Sequence, residues 1–90
     1  MKKTEILILI DLFKAKAKDK SHLCEQKGKI MDTDTLNYKL FDSNDEAVAC
    51  ITYNNLPYEI DLLVEIYIGE GHYICDNFEI AKLLIDFIKY

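Results

Sequence analysis

Residues 58–68, YEIDLLVEIYI, place Ile60, Leu62, Val64, Ile66 and Ile68 at every second position, with Glu59, Asp61 and Glu65 between them. Five alternating apolar positions, mostly β-branched, are the pattern of a strand with one buried and one open face. The same period fixes where the neighbours point: Glu59, Asp61, Leu63, Glu65 and Tyr67 share the other face. A helix over 57–68 is the competing reading, because Ile60, Leu63, Val64 and Tyr67 also fall at helical spacing. The unbroken alternation favours the strand.

The flanking segments supply its partners. Leu36, Tyr38 and Leu40 alternate with Asn37, Lys39 and Phe41, predicting a strand that ends in the turn cluster DSNDE at 42–46. AVACITY at 47–53 predicts the next strand, with Ala47, Ala49, Ile51 and Tyr53 on one face and Val48, Cys50 and Thr52 on the other. NNLP at 54–57 is turn chemistry, and GEG at 69–71 is a hairpin connection into a short last strand at 72–75. Residues 21–35 are of mixed polarity and read as a connector with room for one helical turn.

Helices are expected at both ends. Thr4 suits an N-cap and Glu5 a first turn, so a helix runs from there toward Lys20, with Ile6, Leu9, Ile10, Phe13 and Ala17 as its stripe. Leu7, Ile8 and Leu12 make its first turns apolar nearly all round, so it must be covered on more than one side. Asp76 and Glu79 form a capping box for the closing helix, with Cys75 and Ile80 as a hydrophobic staple. Its expected buried stripe is Ile80, Leu84, Phe87 and Ile88, with Ala81 and Ile85 beside it. Residues 1–90 thus read as one α+β domain: an N-terminal helix, a four-stranded antiparallel meander, and a C-terminal helix packed on one sheet face.

Charge is unevenly spread. Through residue 30, eight lysines face four acids, a net of plus four; from residue 31, three lysines face twelve acids, a net of minus nine. All basic residues are lysines, and the absence of arginine weighs against sequence-specific reading of nucleic acid. The lysine-rich stretch at 14–29 is a weaker alternative for direct nucleic-acid contact, opposed by the overall charge of −5.

Catalytic and cofactor chemistry lack a starting constellation. The three glycines form no phosphate-cradling pattern, and pairs such as Asp32 with Asp34 or Asp45 with Glu46 read as solvated loop carboxylates. Cys24, Cys50 and Cys75 are an odd, widely spaced set that suits a reducing cytoplasm, and His22 with Cys24 or His72 with Cys75 lacks zinc-ligand spacing. The apolar run from Ile6 to Ile10 is too short for an export signal core or a membrane span. The expectation is a cytoplasmic, non-enzymatic protein with no cofactor, no metal and no membrane.

This lysine-only acidic chain has a first helix, a strand meander from NYKLFDSNDEAVACITY through IYIGEGHYI, and a capped closing helix DNFEIAKLLIDFIKY. In that order of elements it resembles the small anti-CRISPR proteins of phages and mobile elements. The resemblance implies a protein partner, a Cas effector, whose nucleic-acid channel is blocked by carboxylates standing in for phosphates. On the residues themselves, the expected contact set is Asp42, Asp45, Glu46, Glu59, Asp61, Glu65 and Glu70, with Tyr67 as an aromatic anchor. The alternative is a homodimeric structural or regulatory domain joined through Leu7, Ile8 and Leu12, its acids serving solubility.

Overall fold

The computed structural model describes residues 1–17, 22–30, 33–55 and 62–88. The elements are α1 (Lys3–Lys14), β1 (Leu23–Ile30), β2 (Thr33–Phe41), β3 (Ala47–Asn55), β4 (Val64–Ile68), β5 (Gly71–Cys75) and α2 (Phe78–Asp86). The five strands lie side by side in chain order, each antiparallel to its neighbours, so the α+β class holds with one strand more than expected.

The extra strand is β1, in the stretch read as a connector. LCEQKGKI offers little apolar alternation, yet it pairs with β2 from Leu23 opposite Leu40 to Ile30 opposite Thr33. An edge strand is held largely by backbone hydrogen bonds to one neighbour, and a polar, lysine-bearing composition guards it against further pairing. That is why a hydrophobic pattern does not reveal it.

Inside the sheet the period of two operates as expected. Tyr38 and Leu40 on β2, Ala49, Ile51 and Tyr53 on β3, Val64 and Ile66 on β4, and Cys75 on β5 are all buried. Cross-strand pairing sets Tyr38 beside Ile51, Ile51 beside Ile66, and Tyr53 beside Val64. Both helices cover this face: α1 contributes Ile6, Leu9, Ile10 and Phe13, α2 contributes Ala81 and Ile85, and Ile88 follows just beyond it. Full burial of such a side chain contributes roughly 1.5–3 kcal/mol, so this single cluster is the main source of stability.

Two tail contacts fix α1 on that layer. The Lys14 ammonium lies 4.7 Å from the centre of the Tyr38 ring, and Lys16 Nζ donates to the Asp86 carbonyl at 3.4 Å. The second contact places a cation at the negative end of α2.

Several local expectations are corrected. The α1 N-cap is Lys2, two residues before Thr4; its backbone N–H donates to Glu5 Oε1 at 2.9 Å, and the helix ends at Lys14 instead of running toward Lys20. The strand opening at 58 begins only at Val64, although Leu62 is already buried and Leu63 exposed; residues 56–61, including Ile60, lie outside the described residues. On α2 the N-cap is Asn77, whose Oδ1 accepts from the Ile80 N–H at 3.1 Å, so the Asp76–Glu79 box is displaced by one residue. The buried stripe also differs from the expected one. Ala81, Ile85 and Ile88 are buried, while Ile80 and Phe87 turn outward, so Ile80 does not close a staple over Cys75.

The hairpin between β4 and β5 is a two-residue turn, Gly69–Glu70, joining the Ile68–Gly71 pair. Gly69 has φ +57 and Glu70 has no positive φ, the pattern of a type II′ turn, which demands glycine first. Replacing the Asn77 cap by alanine should cost about 1 kcal/mol in urea unfolding, whereas Asp76→Ala and Thr4→Ala should each stay within about 0.5 kcal/mol of the parent.

Candidate functional site

The open face of the sheet is the first place the expected acids should appear. Register builds it in rows. One row runs Cys24, Lys39, Cys50, Tyr67, His72 across the five strands, and the next runs Gln26, Asn37, Thr52, Glu65, Ile74. Its polar groups are largely spent on each other. Asn37 Nδ2 donates to Thr52 Oγ1 at 3.0 Å, and the Cys50 thiol donates to Asn37 Oδ1 at 3.2 Å. His72 Nε2 lies 3.4 Å from Glu65 Oε1, an ion pair whenever the imidazole is protonated, and its ring stacks on Tyr67 with centroids 4.2 Å apart.

Glu65 points outward as the alternation predicts, and it shares its face with His72 and Lys39. Glu59 and Asp61, its expected companions, lie outside the described residues. Beside Glu65 the face dips into an open recess of about 220 Å³ lined by Thr52, Tyr53, Leu63, Glu65 and Ile74.

The acids gather instead at one end of the sheet. The Gly69 N–H donates to the Val48 carbonyl at 3.1 Å, which brings the β4–β5 turn against the start of β3 and so beside the β2–β3 loop. Asp42, Asp45, Glu46 and Glu70 thereby share that end, and Tyr67 stands in the open-face row nearest to it.

The loop acids are not equivalent. Asp42 Oδ1 accepts the N–H groups of Asn44 at 2.8 Å and Glu46 at 3.0 Å, and its backbone closes the loop with Glu46 and Asp45. Asp42 is thus a turn-builder. Asp45 sits at φ 61, a left-handed conformation that aspartate tolerates better than most residues, and its side chain is exposed. Glu46 and Glu70 are exposed too, and among the described residues none of these three is held in an ion pair. Accordingly, Asp42→Ala should lower the urea-unfolding free energy by about 1–2 kcal/mol, and Asp45→Asn should leave it within about 0.5 kcal/mol.

The cysteines and histidines do not converge. Cys24 and His72 stand at opposite ends of one row, four strand spacings or about 19 Å apart, and Cys75 lies on the other face. Among the described residues no group of three His, Cys, Asp or Glu is placed to hold a metal ion. No helix of the described chain is long and apolar enough to cross a membrane.

Burial, with Asp76 adding to it, pushes the Cys75 thiol above its ordinary range, and burial with Tyr38 and Glu25 does the same for Tyr53. In each case the folded chain holds the proton more tightly, so stability is intact below the unfolded pKa and falls as pH rises through it. Stability should therefore decline from about pH 9 upward, and Cys75→Ala should flatten the first part of that decline in unfolding titrations.

Sequence reasoning named Leu7 and Ile8 as a dimer seam but missed the exposed apolar face of α2. Ile80, Leu83 and Phe87 are more than half exposed on α2, joined by Leu7 and Ile8 on α1 at about half exposure; Leu12 packs against the core instead. The signal was present: apolar residues at 80, 81, 83, 84, 85, 87 and 88 are more than one helix face can bury.

No family model, curated protein or solved structure matches the chain.

Proposed function

We propose that this is a non-catalytic binding protein that occupies the basic, nucleic-acid-holding surface of another protein with the acidic end of its sheet. The observation that carries the reading is the convergence of two turns at one end, with Asp45, Glu46 and Glu70 exposed and Tyr67 bordering them. Carboxylates raised on short turns form an anionic edge that a phosphate-binding groove attracts. The footprint thus moves from the open face, where Glu65 lies against His72, to the hairpin end. Asp42 belongs to that end as its scaffold. The partner class that the anti-CRISPR resemblance points to is a Cas effector, engaged in competition with its nucleic acid.

Competition binding against labelled target DNA, with a guide-loaded Cas effector, tests this. The chain should displace DNA, and more weakly as salt rises. Converting Asp45, Glu46 and Glu70 together to their amides should weaken displacement about tenfold, the sum of three rim charges worth about 0.5 kcal/mol each. Displacement that ignores both salt and the triple substitution would contradict the reading.

A further inference from the structure

We infer that the outer surface of the helix layer is a self-association interface, in which α1 of one copy packs across α2 of a second copy of this chain. The inference does not depend on the acidic end, which lies on the hairpin loops and not on the helices.

The outward side of α1 carries Leu7 and Ile8, 48% and 50% exposed, and that of α2 carries Ile80, Leu83 and Phe87 at 56%, 58% and 69%. Residues 80, 83 and 87 follow the i, i+3, i+7 spacing of a helix seam. At roughly 100 Å² of exposed apolar area each, these five supply about 500 Å² per copy and about 1,000 Å² when two copies bury them, the level at which an interface becomes specific. A patch of that size is in the range of the largest apolar patches that monomeric proteins expose, which are often functional.

Charge selects the occupant and the pairing. The exposed side of α1 has one charge beside its apolar pair, Asp11, and α2 has one base beside its seam, Lys82, set between Glu79 and Asp86. A two-fold α2-on-α2 contact centred on the seam would set Glu79 against Asp86 of the other copy if antiparallel, or each acid against its own copy if parallel, and both are repulsive. Crossing α1 over the second copy's α2 lets Asp11, the exposed acid beside Leu7 and Ile8, meet Lys82, the base beside the α2 seam. A two-fold axis repeats this pair. The two faces are therefore complementary to each other in chemistry, and both are present on every copy.

Sedimentation velocity on the full chain, from low to high micromolar concentration, provides the test. The expected result is a concentration-dependent shift from 10.5 kDa to twice that mass. Leu83→Glu with Phe87→Glu should weaken association at least about a hundredfold while leaving the urea-unfolding curve of the monomer unchanged, since both side chains are exposed. Asp11→Lys alone should weaken it about tenfold, and adding Lys82→Asp in the same chain should restore it. A monomer at every concentration, or a dimer indifferent to the α2 pair, would overturn the inference. Failure of the double charge exchange to recover association would overturn the α1-on-α2 pairing.

Discussion

Ile51 on β3, flanked by Tyr38 on β2 and Ile66 on β4, is the point from which the rest of the architecture follows. All three face the helices and are buried with Phe13 of α1 in one cluster. Because side chains alternate across a strand, locking these three inward turns Asn37, Cys50, Thr52, Glu65 and Tyr67 outward. A slip of one residue would bury an amide on β2, a thiol on β3 or a carboxylate on β4 and expose that strand's share of the core, so the register is set by the largest energy term available to the chain. The turns at both hairpins, and the acids they hold, inherit their positions from it.

How much of this is legible in the sequence depends on whether apolar burial decides the element. Where it does, as at Tyr38–Leu40, Ala49–Tyr53 and Val64–Ile68, alternation alone gives the strand and its facing. Where backbone pairing decides, as in β1, a polar octapeptide carries no sign of its role. The α2 cap shows a different limit. Asp76 and Asn77 are both good capping residues, and apolar side chains surround most of the helix, so the pattern does not single out either the cap or the face that packs: Asn77 caps, and Ile80 and Phe87 lie at the surface.

The charge polarity of the chain was also readable, but the state of each carboxylate was not. Asp42 looks like its neighbours in sequence, yet two N–H groups of its own loop converge on one of its oxygens. Glu65 lies beside a histidine that becomes its neighbour only through the diagonal geometry of the β4–β5 hairpin. Such relations are set by register and turn type, which place groups distant in sequence within hydrogen-bond range. The outcome is a division of labour by region: a self-satisfied polar sheet face, an anionic end at the turns, and an apolar helix surface.

The claim that partner contact centres on the anionic end is open to direct mapping. In a titration of the isotopically labelled chain with a guide-loaded Cas effector, backbone amide signals of residues 42–46 and 69–72 are predicted to change first and most. Changes concentrated instead at Thr35, Asn37 and Thr52, in the middle of the open face, with the turns unaffected, would contradict the account.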